Sequence, residues 1–402
     1  MNSKKPGSSG QLKAAPRIMA QQSTIPREAE RFMAMALRLA RRGVGRTAPN
    51  PVVGAVLVKD GKVVGKGYHR AAGEPHAEVE AIRSAGSEAR GAELYVTLEP
   101  CNHYGRTPPC TVAIREAGIA RVWYGVDDLN PGVRGGGAKT LREAGIEVIG
   151  HVIENRCRQI NEVYLTNVTL HRPFVFLKLA MSLDGRIATK TGHARWITCE
   201  ASRNKVHRLR DRVSAIMVGV GTVLADNPML TTRLPKSRGR DPVRIVADSN
   251  LRTPASAAIF NPDSAAGVII ATRKEPPPDN RANLEQQGAK ILRTKGSKCV
   301  DLTDLLSRLY DAGITSILIE GGATLAWGAL DAGVVDRCLF FYAPIIIGGT
   351  NAPTGVGGNG ISRLEQAPRL VTVKAFRVGS DILLDGRVVY SGTKDCRKYP
   401  ET

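Results

Sequence analysis

The sequence has few aromatic residues, no long apolar segment and no acidic residue in its first 26 positions. Aromatic side chains make up 5% of the 402 residues, which disfavours a surface on which successive nucleic-acid bases stack. The apolar runs are well short of the roughly 18 residues that a membrane-spanning helix needs. With 42% hydrophobic residues overall, the composition indicates a globular protein that can bury more than one core.

Cysteines are also few. The chain has seven, an odd number scattered along the sequence, and it begins without a hydrophobic secretory segment. This usage predicts a reducing, cytoplasmic compartment, in which metal binding or thiol reactivity is expected instead of disulfide pairing.

The net charge of +20 raises the question of a nucleic-acid partner. The basic excess is spread over both halves of the chain, and its densest piece, residues 38–46, reads RLARRGVGR. That piece is either the solvated face of an amphipathic helix or a phosphate-binding patch. A substrate and a cofactor that both carry phosphate also suit a basic protein.

Strands and helices alternate after a polar extension. Residues 1–26 lack apolar periodicity, so we predict a disordered extension, with a transit peptide of the same composition as the alternative. An amphipathic helix, a β-hairpin and further alternation predict a layered α/β domain over residues 27–171. One continuous helix is expected over residues 154–170.

A charged, proline-containing junction near residue 172 predicts the start of a second α/β domain, residues 172–395. Its sheet should contain at least six strands. These strands are expected at 214–220, 243–248, 267–272, 316–320, 338–347 and 381–390.

The segment GEPHAEVEAIR, residues 73–83, places a histidine and a glutamate two residues apart where a loop turns into a helix. Alone, it is either a catalytic pair or an ordinary helix start. The segment TLEPCNHYGRTPPC, residues 97–110, then adds two cysteines. One histidine and two cysteines can hold zinc and leave the fourth position open, as catalytic zinc sites do, while Glu78 is available to move protons.

This interpretation requires a particular placement of His76. Two residues that both lie inside a helix and are two positions apart point about 200° away from each other. His76 must therefore lie at the junction between loop and helix, and Gly73 and Pro75, which are common at helix starts, support that position.

The pattern resembles the zinc-dependent nucleobase deaminases, which carry H-x-E followed by P-C-x-x-C. It departs from them because eight residues separate the two cysteines. Over residues 27–395 the chain is instead similar to the bifunctional deaminase and reductase family of riboflavin biosynthesis. The similarity rests on these two segments together with APNPVVGAVLV, DLNPGVRGGG, LKLAMSLDGRIA, GVGTVLADNPMLTTR and ILIEGGATLAWG.

The resemblance implies a cytidine-deaminase-like α/β/α first domain. It would hydrolytically deaminate 2,5-diamino-6-(5-phosphoribosylamino)pyrimidin-4(3H)-one, with Zn²⁺ on His76, Cys101 and Cys110 and with Glu78 as the catalytic residue. Family positions for substrate binding fall on Asn50, His69, His103 and Arg106. A partly buried structural histidine is the alternative for His69. The sequence DDLNP differs from the usual family form, which leaves the roles of Asp127 and Asp128 open.

For the second domain the resemblance implies a dihydrofolate-reductase-like α/β fold that uses NADPH to form 5-amino-6-(5-phosphoribitylamino)uracil. The implied substrate residues are Ala194, Arg210, Leu230, Arg233 and Glu320. The implied cofactor residues are Ala180, Trp196, Thr222, Asp226, Ser249, Gly322, Ala323, Thr324, Leu325, Ala326, Trp327 and Gly328. Lys178 and Asp226 are candidates for polar groups beside the hydride-transfer site, and a charge at a strand end is the alternative for Lys178.

Two other classes of function compete with this interpretation. A nucleic-acid base deaminase accounts for the zinc motif and the charge, but not for the reductase-like second domain or the few aromatics. A non-catalytic, zinc-stabilised interaction module needs neither Glu78 nor an open coordination position. We expect a small phosphorylated substrate, no nucleic-acid or membrane partner, and a homo-oligomer that is a dimer or a tetramer.

Overall fold

A computed structural model describes residues 25–104, 108–130, 136–235, 239–261 and 263–391. The strands form two separate sheets, one of five strands and one of nine. We call residues 25–171, which hold the first sheet, the first half, and residues 172–391 the second half. No helix among the described residues is both long and apolar enough to cross a membrane.

The first half is a five-stranded sheet covered by helices, with the strand order β2-β1-β3-β4-β5. β1 is antiparallel to β2 and β3, whereas β3, β4 and β5 are parallel. The elements are α1 (Arg27–Ala40), β1 (Gly54–Lys59), β2 (Lys62–Tyr68), α2 (Ala77–Ala85), β3 (Glu93–Val96), α3 (Cys110–Glu116), β4 (Arg121–Tyr124), α4 (Gly136–Glu143), β5 (Glu147–Ile149), α5 (Glu154–Ile160) and α6 (Glu162–Leu170).

The core of the first half forms because α1 and the strands each have an apolar face. Phe32, Met33, Ala36 and Leu37 recur at helical spacing and are buried on one side of α1. They pack with the continuously apolar β1, whose side chains are buried on both faces of the sheet. The sheet thereby holds the ends of β2 and β3 in fixed positions.

The second half is a nine-stranded sheet in the order β10-β9-β8-β7-β11-β6-β12-β14-β13. The first seven strands of this order, from β10 to β12, are parallel to one another. β14 is antiparallel to β12, and β13 is antiparallel to β14. The elements are β6 (Phe174–Ser182), α7 (Glu200–Arg210), β7 (Ala215–Gly219), α8 (Val220–Asp226), β8 (Val243–Ala247), β9 (Val268–Thr272), α9 (Arg281–Gln286), β10 (Ala289–Arg293), α10 (Leu302–Asp311), β11 (Ser316–Glu320), α11 (Ala323–Asp331), β12 (Arg337–Ala343), β13 (Arg369–Val378) and β14 (Asp381–Val389).

Ion pairs and hydrogen bonds join the two halves. Arg46 forms two hydrogen bonds with the Asp211 carboxylate, at 2.8 and 2.9 Å. Arg337 lies between Glu162 and Asp385, at 2.6 Å from a carboxylate oxygen of each. Since Arg337 and Glu162 are almost fully removed from water, losing one partner would leave a buried charge uncompensated.

The structure differs from the sequence prediction in several elements. The helix expected over residues 154–170 is split into α5 and α6 at Asn161, whose side chain bonds both the N–H and the C=O of Val52. β12 ends at Ala343 because Pro344 has no N–H for the ladder. β10 and β13 were not predicted, and the larger sheet therefore has nine strands.

Candidate active sites

Three potential metal ligands meet where α2 and α3 begin. His76 is the residue that precedes the first turn of α2, with extended backbone angles, as the sequence argument required. Cys110 is the first residue of α3, and Cys101 lies in the loop after β3. The ligand atoms of these three residues lie within 4.8 Å of one another, and His76 Nδ1 is 3.1 Å from Cys110 Sγ and 3.5 Å from Cys101 Sγ.

The electrostatics of this cluster favour a thiolate. The hydrogen bond from the Cys110 side chain lowers the pKa of Cys101, and the Cys110 N–H also donates to Cys101 Sγ at 3.3 Å. The contact with Cys101 raises the pKa of His76. One imidazole nitrogen and two sulfurs at this spacing match the donor set that zinc prefers, so these residues fit the metal that the sequence predicts.

Glu78 lies beside the cluster and is 4% exposed. Its position follows from the start of α2, because His76 precedes the helix and Glu78 lies in its first turn. Burial raises the pKa of Glu78, although the neighbouring His76 opposes the shift. A buried carboxyl group beside metal ligands and within a pocket is suited to proton transfer.

The surroundings of His69 favour its neutral form. It lies just after β2 and is 2% exposed, and burial lowers its pKa. Its Nδ1 is 3.1 Å from the carbonyl oxygen of Pro75, and its Nε2 is 3.1 Å from Asn50 Nδ2. Because Nδ1–H donates to the carbonyl, Nε2 is left to accept the amide N–H, so Asn50 and His69 form one hydrogen-bonded unit.

A pocket of about 400 Å³ opens onto Glu78 and onto two of the three potential metal ligands, His76 and Cys101. The predicted residues Asn50, His69, His76, Cys101 and His103 also line it. Cys110 is buried and does not line the pocket, and Arg106 falls outside the described residues.

The pocket contains acidic residues to which the sequence had given no role. Asp128 is 4% exposed and accepts hydrogen bonds from the Tyr164 hydroxyl and the Asn130 N–H, both at 2.9 Å. Glu99 accepts from the N–H groups of Ala138 and Asp128. Burial raises the pKa of both carboxyl groups. Glu99 follows β3 and Asp128 follows β4 in the chain, and this position after a strand was the available sequence signal.

A second cleft, of about 860 Å³, lies at the carboxyl ends of the parallel strands in the second half. This edge is where open α/β sheets bind their ligands. Most of the predicted reductase residues line the cleft: Ala180, Ala194, Thr222, Asp226, Ser249, Glu320, Gly322, Ala323, Thr324, Leu325 and Gly328.

Gly322 lies close to Thr222 on the facing side of this cleft. It precedes α11 with a φ of +84°, which L-residues with a side chain rarely adopt. A Cβ added there would lie 3.3 Å from Thr222 Oγ1. The absence of a side chain therefore leaves space for a ligand at the start of α11, where backbone N–H groups favour phosphate.

Three charged residues form a network, and two of them, Lys178 and Glu320, line this cleft. Arg210 bonds both carboxylate oxygens of Glu320, at 2.7 and 3.0 Å, and Lys178 Nζ lies 3.6 Å from the same carboxylate. Burial alone would raise the pKa of Glu320, but the two cations outweigh it and lower that pKa to about 2. Burial lowers the pKa of Lys178. β6 and β11 pair in parallel with Lys178 opposite Glu320, which positions both groups.

The other six predicted residues, Arg210 among them, do not line the cleft. Trp196 is 68% exposed, with the guanidinium of Arg203 at 4.6 Å from its ring centroid. Leu230 and Ala326 are buried. Arg233 donates to Thr231 Oγ1 at 2.9 Å. Trp327 packs against Gly358, where an added Cβ would clash with the indole ring.

Known proteins match both halves of the chain. Residues 26–126 match the cytidine and deoxycytidylate deaminase zinc-binding region, and residues 173–384 match the RibD C-terminal domain. The riboflavin biosynthesis protein RibD of Actinobacillus pleuropneumoniae is 44% identical over 362 residues, 89% of this chain and 95% of its own length. RibD of Bacillus amyloliquefaciens is 43% identical over 88% of this chain and 95% of its own.

Solved structures give the same result. A Thermotoga maritima diaminohydroxyphosphoribosylaminopyrimidine deaminase/5-amino-6-(5-phosphoribosylamino)uracil reductase superposes with a TM-score of 0.78 at 39% identity, covering 90% of this chain and 99% of that one. Acinetobacter baumannii RibD superposes with a TM-score of 0.79 at 36% identity and the same coverage. The expected fold, with a deaminase-like half and a reductase half, is confirmed, and the chain belongs to the RibD family of bifunctional deaminases and reductases of riboflavin biosynthesis.

Proposed function

We propose that the first half deaminates 2,5-diamino-6-(5-phosphoribosylamino)pyrimidin-4(3H)-one and that the second half reduces the ribosyl group of the product to ribityl. The observation that carries the deaminase assignment is the buried Glu78 beside the cluster of His76, Cys101 and Cys110. These three residues would hold zinc, which when bound supplies a water activated for attack near neutral pH. The similarity to the named relatives supports the substrate.

Glu78 moves the protons of the hydrolysis. Its carboxylate accepts a proton from the attacking water and returns protons to the ring nitrogen and to the departing amine, so that C–NH₂ and water become C=O and ammonia. The burial of Glu78 supports this role, because bulk water does not compete for the proton. The Asn50 and His69 unit would orient the pyrimidine, and His103 and Arg106 would contact the substrate towards its phosphate.

The second cleft would hold NADPH, which supplies the hydride. The open space at Gly322 and the start of α11 suit the cofactor's pyrophosphate. Arg252 and Lys298 line the outer part of the cleft and are exposed. No hydrogen bond or ion pair engages either side chain within the described part of the chain, so we assign them to the 2′-phosphate. Lys178 also lines the cleft and would offer a polar contact close to the reacting sugar.

Only the family resemblance supports a role in cofactor binding for Trp196, Ala326 and Trp327. Arg210 would act on the substrate through its bond with Glu320. Leu230 and Arg233, in the loop after α8, would contribute to substrate binding. We also propose that the domains divide at residues 171 and 172, that the protein is a homo-oligomer, a dimer or a tetramer, and that it is cytoplasmic. The separate sheets and the family limits support the division.

A single assay tests the proposal. Purified protein is incubated with the diaminopyrimidine, with and without NADPH, and the products are identified by mass and by ammonia release. We expect the deaminated ribosyl compound without NADPH and the ribityl compound with it. Ammonia release from cytosine in RNA, with none from the small substrate, would support the nucleic-acid alternative instead.

A further inference from the structure

The wall of the deaminase pocket includes residues of the second half. Tyr310, near the end of α10, and Thr315, just before β11, line the same pocket as His76 and Glu78. Tyr310 is half-buried and makes an edge contact with His171, with ring centroids 6.3 Å apart. Its hydroxyl makes no hydrogen bond among the described residues.

Helix α6 connects this wall to the metal end of the pocket. Tyr164, Asn167 and Val168 recur at helical spacing and all line the pocket. The Tyr164 hydroxyl bonds Asp128, while Asn167 Nδ2 donates to the Thr315 carbonyl at 2.9 Å. Along the helix axis these two residues are separated by about 4.5 Å. Residues about one helical turn apart on α6 thus contact the buried Asp128 and the second-half wall, and all of them line the pocket that also contains Glu78.

The chemistry of this wall suits a sugar better than a phosphate. The groups at this wall are all neutral, and they belong to Tyr310 and Thr315 and to the neighbouring Tyr164 and Asn167 of α6. A phosphate is ordinarily met by cations or by clusters of N–H groups, whereas sugar hydroxyls bond equally well to neutral hydroxyls and amides. Thr315 itself is fixed, because its hydroxyl lies 2.8 Å from Ser214 Oγ. Tyr310 is therefore the side chain with a hydroxyl still available.

We propose that the second half completes the deaminase site, and that the Tyr310 hydroxyl binds the ribose of the substrate while the pyrimidine lies at Glu78. This inference rests on the proposed deaminase function. Tyr310 lies near the end of α10, which leads through Thr315 into the amino-terminal end of β11, whereas Glu320 lies at the carboxyl end of β11 and lines the reductase cleft. A change at Tyr310 should therefore affect one activity and not the other.

The test compares Tyr310→Phe and Tyr310→Ala with Tyr342→Phe, a matched removal of a hydroxyl from a half-buried tyrosine of β12 that lines neither site. Steady-state kinetics are measured on two pyrimidines: the phosphoribosylamino substrate, and the same base with a free amino group in that position. Zinc content and reductase activity on deaminated substrate are measured in parallel.

We expect Tyr310→Phe to raise the deaminase KM about two- to tenfold on the phosphoribosylamino substrate, since one neutral hydrogen bond is lost. Tyr310→Ala should raise it further, while kcat, zinc content and reduction stay near wild type. On the sugar-free base no variant should differ from wild type. An unchanged KM in Tyr310→Ala, or an equal rise on both pyrimidines, would overturn the inference. Wild-type protein that deaminates neither compound would refute the proposed function itself.

Discussion

Replacing Glu78 with Gln should separate the two activities of the chain. The change keeps the size of the side chain and leaves His76, Cys101 and Cys110 in place. It removes the carboxylate that would carry protons between water, ring nitrogen and leaving amine. Since Glu78 is 4% exposed, bulk water cannot readily take over its role.

The magnitude follows from the role of the group. General acid–base groups typically contribute about 10²- to 10⁴-fold to a rate. At 1.36 kcal/mol for each factor of ten, this corresponds to about 2.7 to 5.4 kcal/mol of activation free energy. Ammonia release by Glu78→Gln should therefore fall at least about 100-fold while the zinc content stays normal. With already deaminated substrate and NADPH, the variant should reduce at close to the wild-type rate.

Two comparisons make the experiment decisive. Glu80→Gln changes a carboxylate of the same helix that pairs with Arg70 and Arg83 instead of lining the pocket, and it should leave both activities intact. Asp226→Ala, in the second cleft, should impair reduction and spare ammonia release. If Glu78→Gln abolished both activities in folded, zinc-loaded protein, the two sites would not be independent and the reasoning would be wrong.

Three further outcomes are expected. Replacing Cys101 or Cys110 with Ser should lower zinc content and deaminase activity together, because a hydroxyl is a poor substitute for a thiolate; full zinc occupancy in the double variant would contradict the assignment. NADPH should bind more tightly than NADH, and Arg252→Ala with Lys298→Ala should reduce that difference in a calorimetric titration without changing the affinity for NADH. Glu320→Gln should cost about 3–5 kcal/mol of unfolding free energy at pH 7, because it leaves buried cations without their partner. The folded-state pKa of Glu320 is about 2, below its unfolded value of about 4.3. The stabilisation is therefore present above pH 4.3 and should be lost as the pH falls towards 2. Denaturation curves of wild type and variant should converge there.

The metal cluster was predictable because its geometry is local. Gly73 and Pro75 disfavour a helix before His76, so the turn that begins at Ala77 follows from nearby residues alone. The helical phase then determines which way Glu78 points relative to His76. The two cysteines come from another loop, but their positions before and at the start of α3 were also marked by proline.

Elements that depend on distant contacts were harder to predict. α5 and α6 have a continuous helical pattern, and the break at Asn161 comes from its bonds to Val52, 109 positions away. β13 was not predicted, although Val371, Val373 and Ala375 alternate with Thr372 and Lys374. Most of its side chains are exposed, and it forms a strand through its pairing with β14. In both cases the deciding partner, the Val52 backbone or the β14 ladder, is absent from the local sequence.

The same limit explains why the second-half wall of the deaminase pocket has no sequence signal. Tyr310 belongs to an amphipathic helix whose Leu305, Leu306 and Leu309 are buried in the core of its own half, and a tyrosine beside them is typical of a helix edge. Its contact with the pocket arises only when α6 packs against the residues before β11, through Asn167 and the Thr315 carbonyl. Because those two residues are 148 positions apart, the composite site is a property of how the halves pack. A deaminase half expressed alone would therefore keep its metal ligands and Glu78 while losing part of the surface proposed to hold the sugar.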